Sequence, residues 1–354
     1  QARAYRIADN QTAQLSGWDE DKLPLELAAL QEAGYDLALT GFSGDELLDL
    51  LGGDAAAPLA DPDDVPEPPD EAVTRPGDLW LLGEHRLLCG DSSKPEDVDR
   101  LLAGEPVQLV NTDPPYNVKV EPRSNNAIAA GLSSFVGATH HQSLDVARHP
   151  EKSQPTTRKL RAKDRPLTND FVSDEEFDRL LHAWFGNLAR VLLPGRAAYI
   201  WGGYANCANY PPVLKASGLY FSQALIWVKE HPVLTRKDFM GNHEWCFYCW
   251  KEGAAHQFFG PNNVTDVWSV KKVNPQSMIH LTEKPVELAV RALQYSSRPG
   301  ENVLDLFGGS GATLIAAEQT GRKAFLMELD PLYCDVIVQR FEQFTGQKAE
   351  RLQP

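Results

Sequence analysis

Residues 302–330 read NVLDLFGGSGATLIAAEQTGRKAFLMELD. An apolar run closes on Asp305, the glycines Gly308, Gly309 and Gly311 follow at once, GATLIAAEQTG reads as the opening of a helix, and a second apolar run ends at Glu328. Glycine permits a tight left-handed turn and lets backbone approach a ligand closely. Strand, glycine turn, helix, strand and terminal acid together make a ligand-binding half of a doubly wound α/β sheet, in which ligands lie outside the carboxyl ends of the strands. Glu328 stands 17 residues after Gly311, where an acid can accept hydrogen bonds from a ribose.

The turn itself, FGGSG after an aspartate, fits a dinucleotide fingerprint poorly. A carboxylate at the strand end would repel a pyrophosphate, yet it suits a ligand that carries an ammonium group. S-adenosylmethionine has such a group, with a sulfonium, a ribose and no phosphate.

Working outward, residues 78–354 alternate short apolar runs with helical periodicity. DLWLLGEHRLLCGD, PVQLVNTDPPY, RAAYIWGG, YFSQALIWVK, EWCFYCWKEG, ENVLDLFGGSG and RKAFLMELD read as strands. DEEFDRLLHAWFGNLARVL, PVELAVRALQYS, GATLIAAEQTG and LYCDVIVQRFEQFTG read as helices, and alternation of this kind predicts an α/β sheet. One strand ends unusually, in NTDPPYNV at residues 111–118. Each proline ring fixes its own φ and restricts the preceding residue, so the direction of the carbonyl between them is preset.

DLFGGSG with ELD downstream, HLTEKPVEL upstream and DPPY far towards the N-terminus together resemble the DNA amino-methyltransferases of the β class, in which the catalytic half precedes the cofactor half. The resemblance covers roughly residues 78–345 apart from one insert. It implies a Rossmann-like fold with a mixed seven-stranded sheet, S-adenosylmethionine as cofactor and double-stranded DNA as substrate. Its product would be methylated DNA, as in restriction-modification systems. An aspartate heading the motif favours the N6 amine of adenine. N4 of cytosine, whose enzymes often begin the motif with serine, and a catalytically silent DNA-binding protein are the alternatives. The resemblance allows a homodimer and names no partner nuclease.

The chemistry explains the motif. An exocyclic amine conjugated to a base ring is a poor nucleophile because its lone pair is delocalised. Acceptors for both amino hydrogens, the Asp113 carboxylate and the Pro114 carbonyl, would favour a pyramidal nitrogen aimed at the methyl group. Pro115 holds the turn, and Tyr116 offers a face on which a flipped base can stack. The resemblance also places Asp91, Asp305, Phe307, Gly309, Gly311 and Glu328 around the cofactor. Lys284 and Pro285 would lie against its methionine end.

Residues 119–166 interrupt the family pattern. This insert is long for a loop, and its later part carries Arg158, Lys159, Arg161 and Lys163, which are expected to contact DNA phosphates. Residues 229–280, with Trp245, Phe258, Phe259 and Trp268 beside Arg236, Lys237, Lys271 and Lys272, form a second candidate for target recognition, although such aromatics more often fill a core.

The net charge of -15 seems at odds with a nucleic-acid substrate, but it is unevenly spread. Residues 1–77 hold 4 of the 34 Lys+Arg and 17 of the 49 Asp+Glu, which leaves 30 against 32 for the remainder. Within that acidic fifth, residues 1–53 read as a helical segment resembling the end of a ParB-like domain, so that the chain would begin inside that domain. Residues 54–77, with six prolines and seven acids, read as a stiff solvated linker to a methyltransferase domain at 78–354. No apolar run is long enough for a membrane span, and five cysteines (Cys89, Cys207, Cys246, Cys249 and Cys334) form no disulfide framework. A cytoplasmic protein is therefore expected. CFYC has the spacing of half a zinc site but no second pair, so no metal is expected.

Overall fold

In a computed structural model of the chain the described residues are 59–117, 172–233, 238–271 and 283–352, with 23, 26, 27, 30, 35, 37–40 and 42 nearer the N-terminus. The chain divides into two units, residues 1–57 with 260–263, and residues 58–259 with 264–354. Of the first, the described residues include a 3-10 turn at Leu37–Thr40 and the buried Leu27.

The second unit is built on one sheet. Its strands are β1 (Leu79–Leu82), β2 (His85–Cys89), β3 (Leu109–Thr112), β4 (Ala197–Gly202), β5 (Leu219–Val233), β6 (Gly241–Lys251), β7 (Val267–Ser269), β8 (Asn302–Asp305), β9 (Lys323–Glu328) and β10 (Glu350–Leu352). They lie in the order β10-β1-β2-β9-β8-β3-β4-β6-β5-β7. The middle five, β2 to β4 in that order, are parallel, and antiparallel pairs flank them on both sides.

Among the described residues ten strands replace the expected seven. The run DLWLLGEHRLLC, read as one strand, folds back on itself at Gly83 (φ +60°) and becomes β1 and β2. β7 and β10 have three residues each, too short to carry a periodic signal.

Among the described residues six helices cover the sheet: α1 (Pro95–Leu102), α2 (Asp174–Val191), α3 (Tyr210–Ala216), α4 (Val286–Ser296), α5 (Ala312–Gln319) and α6 (Pro331–Thr345). Local chemistry starts and stops them. Ser173 accepts from Glu176 N at 3.2 Å to cap α2, whose first turn holds Asp174, Glu175 and Glu176 against the positive end of the helix dipole. Asp330 caps α6 through Leu332 N, and Gly346 ends it with φ +73°. Buried side chains of α1, α2 and α3 fill one core and those of α4, α5 and α6 the other, which gives helices on both faces of the sheet.

The connections place the functional end. From β8 the chain crosses through α5 to β9 on one side, and from β3 it continues through α2 to β4 on the other. β3 and β8 are neighbours, so the direction of winding reverses between them, and that crevice is where an open α/β sheet takes its ligands.

Residues 59–77, part of the stretch 54–77 expected as a stiff solvated linker, are tied to this unit. Asp335 of α6 accepts from Val73 N (2.7 Å), Thr74 N (3.0 Å) and Thr74 Oγ1. Asp63 accepts from Val286 N at the start of α4, and Arg340 donates to Pro62 O and to Ser310 O. The acids of this stretch are exposed, as composition predicts, yet Asp63 meets a backbone donor and the Pro62 carbonyl a buried guanidinium, partners that sequence spacing cannot reveal. Asp335→Ala would leave three donors without an acceptor, two of them on the buried Thr74, and is expected to destabilise the unit by about 3 kcal/mol. Urea unfolding checks this, and a loss below about 0.5 kcal/mol would show that the strap contributes nothing.

Candidate active site

Four adjacent parallel strands deliver a carboxylate each to the same edge of the sheet. In sheet order these are Asp91 after β2, Glu328 at the end of β9, Asp305 at the end of β8 and Asp113 directly after β3. The two signature turns lie 192 positions apart in sequence, yet Thr112 Oγ1 donates to Asp305 Oδ1 at 2.9 Å.

Asp305 is almost fully buried. Besides Thr112 it accepts from Phe307 N (3.0 Å) and Thr313 Oγ1 (2.7 Å), so it pins the glycine turn to both β3 and α5. Trp201 Nε1 donates to Asn111 Oδ1 and Asn111 Nδ2 to Thr313 Oγ1, which carries the network across to β4. Glu328 accepts from Gly309 N (2.8 Å) and Asp330 N (2.9 Å). Burial pushes both carboxyls up to about 7, with these hydrogen bonds only partly opposing it. Gly311 has φ +91°, and a Cβ there would stand 3.3 Å from Ile337, so both conformation and space select glycine.

Asp91 accepts from Ser93 N and Ser93 Oγ in a turn that precedes α1. The ring of Phe307 meets that of Trp184 edge to face with centroids 5.0 Å apart. Pro114 is buried and Pro115 half-buried. Behind them, Asn206, in a 3-10 turn after β4, donates to Tyr116 O at 3.2 Å and buttresses the motif.

The resemblance sets Lys284 against the methionine end of the cofactor, and the structure places its side chain beside DPPY. Its ammonium lies 2.5 Å from Asp113 Oδ2, 3.0 Å from Tyr116 Oη and 3.4 Å from Glu244 Oε2. Tyr116 Oη donates to Asp113 Oδ1 at 2.7 Å, so both oxygens of Asp113 have partners. Glu244 also pairs with Lys229, and a row of alternating charge results: Asp113, Lys284, Glu244, Lys229. Burial raises the Asp113 carboxyl above the ordinary range, an effect that Lys284 and Tyr116 only partly offset. For Lys284 burial works downwards, but Asp113 and Glu244 outweigh it and hold the ammonium above its ordinary value. Burial works upwards on Glu244, and Lys284 with Lys229 outweighs it, so that carboxyl is lowered. The Tyr116 phenol is pushed well up by burial, and by Asp113 and Glu244, and remains a donor.

Glu244 and Lys229 escaped the sequence reading because β5 and β6 read as buried strands. β6 runs antiparallel to β4, with Trp245 opposite Gly202, so its first residues reach past the carboxyl edge of the sheet towards Asp113. A charged residue abutting the apolar run WCFYCW was the one available signal.

In the region 229–280, Trp268 is buried in the core and Trp245 half-buried. Phe258 is exposed, and Phe259 lies under the guanidiniums of Arg196 and Arg298. Lys271 is exposed, and Arg236, Lys237 and Lys272 lie outside the described residues. So do Arg158, Lys159, Arg161, Lys163 and the whole insert 119–166. Its neighbours are described: the Asn117 side chain donates to Val172 O and accepts from Val172 N, so the chain leaves and re-enters at one point beside DPPY. Cys246 and Cys249 are three apart on a strand and enter opposite cores, which prevents them from converging on an ion. Among the described residues no group of three or more His, Cys, Asp or Glu is arranged to hold a metal, and no helix is long and apolar enough to cross a membrane.

Comparison with known proteins gives two family matches. Residues 107–339 match the DNA methylase family of N6 and N4 methyltransferases, and residues 21–76 match the ParB-methyltransferase HTH domain. The second match runs through most of the stretch 54–77 that composition sets apart as a linker. The Type II methyltransferase M.HinfI of Haemophilus influenzae is 26% identical over 49% of this chain and 53% of its own length. The Type II methyltransferase M2.DpnII of Streptococcus pneumoniae is 25% identical over 49% and 69%. This chain thus spans about half the length of the first relative. Among solved structures, the M1.HpyAVI–SAM complex aligns with a TM-score of 0.49 at 17% identity over 72% of this chain and 97% of the other.

Proposed function

Since the chain belongs to the DNA methylase family of N6 and N4 methyltransferases, we propose that it transfers the methyl group of S-adenosylmethionine to the N6 amine of an adenine flipped out of double-stranded DNA. The observation that carries this reading is the direct hydrogen bond between the strand bearing DPPY and the aspartate of the glycine turn, Thr112 to Asp305. It brings an amine-binding turn and a cofactor turn to one crevice.

The chemistry of the edge suits the cofactor. Four carboxylates along neighbouring strands repel phosphate and favour a cation. Two of them, Asp305 and Glu328, are held near 7 by burial, with no lysine or arginine among their hydrogen-bond partners in the described residues. A ligand bearing an ammonium, a sulfonium and ribose hydroxyls fits such a row. When bound, S-adenosylmethionine supplies an electrophilic methyl group.

The protein's own part is to bind and orient. Asp305 would accept from the ammonium, Glu328 and Asp91 from the ribose and adenine edges, and Phe307 would line the pocket. Asp113 and the Pro114 carbonyl would accept from the target amine and localise its lone pair. Tyr116 supplies a stacking face, with its hydroxyl anchored on Asp113. Aspartate at the head of the motif favours adenine N6 over cytosine N4. Arg158, Lys159, Arg161 and Lys163 would bind phosphates from an insert rooted beside this turn. Double-stranded DNA is thus the partner, whether the protein works alone or as a homodimer.

Incubation with radiolabelled S-adenosylmethionine and unmethylated DNA, followed by digestion to nucleosides, tests the reading. Label in N6-methyladenine is expected. Label in N4-methylcytosine would move the target amine, and no incorporation despite measured cofactor binding would leave a DNA-binding protein without turnover.

A further inference from the structure

The row Asp113, Lys284, Glu244, Lys229 contains more charge than the proposed transfer needs. Asp113 must accept a hydrogen from the target amine, yet one of its oxygens is taken by Lys284 at 2.5 Å and the other by Tyr116 at 2.7 Å. Each carboxylate oxygen can accept a second hydrogen bond, but an amine sharing Oδ2 with an ammonium 2.5 Å away meets its positive charge, so the amine is held better once Lys284 draws back. A buried ammonium cannot leave its counter-charge without another acceptor in reach, because an unpaired ion in that setting is severely penalised. Glu244 Oε2 lies 3.4 Å from the same nitrogen.

Glu244 is equipped for this. Its other oxygen is fixed by Lys229, itself buried with its ammonium 4.9 Å from the centre of the Trp227 ring. Trp227 pairs with Glu244 across the β5–β6 hairpin, and Lys229 lies two residues further along the same face. The carboxylate is therefore held on rigid strands. The Lys284 ammonium sits 5.4 Å from the ring centre of Tyr116 and 5.5 Å from that of Trp201, so a shift of about an ångström towards Glu244 keeps it among aromatic rings that favour a cation.

We propose that Glu244 is a positioning residue that takes Lys284 over from Asp113 when the target amine binds, so that Lys284 stands in for that amine while the site is free of DNA. This rests on the proposed function. Lys284 moves without changing its protonation, the four charges still sum to zero, and Asp113 exchanges one donor for another. Without the Glu244 carboxylate, Lys284 has Asp113 as its sole anionic partner in the row and competes with the base for it.

Steady-state methylation of DNA by Glu244→Gln and Glu244→Asp tests the hand-over, with S-adenosylmethionine affinity measured separately by calorimetry. Glu244→Gln is expected to raise KM for DNA about tenfold to a hundredfold, with kcat at saturating DNA and cofactor affinity both within about threefold of wild type. Glu244→Asp, which keeps the charge, is expected to recover most of the loss. An unchanged KM in Glu244→Gln overturns the inference, and so does an equal loss in both variants, which would mark a packing role. A wild-type protein that methylates no DNA overturns the proposed function, whereas an active wild type with an unaffected Glu244→Gln variant overturns the hand-over alone.

Discussion

Asp113→Ala is expected to lower methyl transfer about 10²–10³-fold while leaving S-adenosylmethionine affinity within about threefold. In the proposed transfer the Asp113 carboxylate accepts from the target amine together with the Pro114 carbonyl, and of the two only Asp113 carries a charge to oppose the positive charge that develops on the nitrogen. Asp305, Glu328 and the glycine turn stand on other strands and keep their own hydrogen bonds. The substitution also leaves Lys284 and Lys229 sharing Glu244, an excess of one buried positive charge, so some loss of stability is expected as well. Asp113→Asn separates the two effects, since it retains the shape and the acceptor oxygen but not the charge. Single-turnover transfer under saturating cofactor and DNA is the measurement. A rate within about threefold of wild type for Asp113→Ala would remove this residue from the chemistry.

The second large effect concerns Asp305. Asp305→Asn is expected to weaken S-adenosylmethionine binding about tenfold to a hundredfold at pH 8 and, in the cofactor-free protein, to raise the melting temperature at that pH. The carboxyl is pushed from its ordinary 3.8 to about 7, chiefly by burial. A group whose folded pKa lies above its unfolded value holds its proton more tightly in the folded state. Its contribution to stability is complete below about pH 4 and is lost as pH rises through about 7. At pH 8 the folded chain thus carries a buried carboxylate at a cost, and asparagine removes that cost. Its side-chain oxygen can still accept from Thr112 and from Phe307 N, and only Thr313 loses its acceptor.

The same protonation predicts that wild-type cofactor affinity falls as pH drops below about 7, because a neutral Asp305 gives a cation less to bind. Glu328 titrates near the same pH, so the dependence should shrink in Asp305→Asn without vanishing. Calorimetric titrations and melting curves between pH 5 and 8.5 would follow both quantities. An asparagine variant that binds the cofactor as tightly as wild type at pH 8 would rule out the ammonium contact.

Much of the fold was legible because its signals are local. The glycine turn after Asp305, the prolines after Asp113 and the apolar runs between them are decided by backbone conformation and by burial along single elements. What was misread is equally physical. A hairpin with a two-residue turn at Gly83 and Glu84 looks like one strand. Strands of three residues carry no period. An acidic, proline-rich stretch has the composition of a linker until Asp335 and Arg340, more than 250 residues away, supply its partners. Lys284 stands out by its motif, but its pairing with Asp113 and Glu244 joins elements that no local signal brings together.

The signatures of the proposed chemistry are local in the chain: a strand running into Asp-Pro-Pro-Tyr, and a strand ending in aspartate and followed by glycines. Those are properties of consecutive residues, and consecutive residues fix turns. Only the tertiary structure decided that β3 lies beside β8, that the β5–β6 hairpin overreaches the sheet edge, and that Glu244 and Lys229 therefore join Lys284 at Asp113. Buried charges choose partners by distance through space in a medium that screens them poorly, and separation along the chain carries no information about that distance.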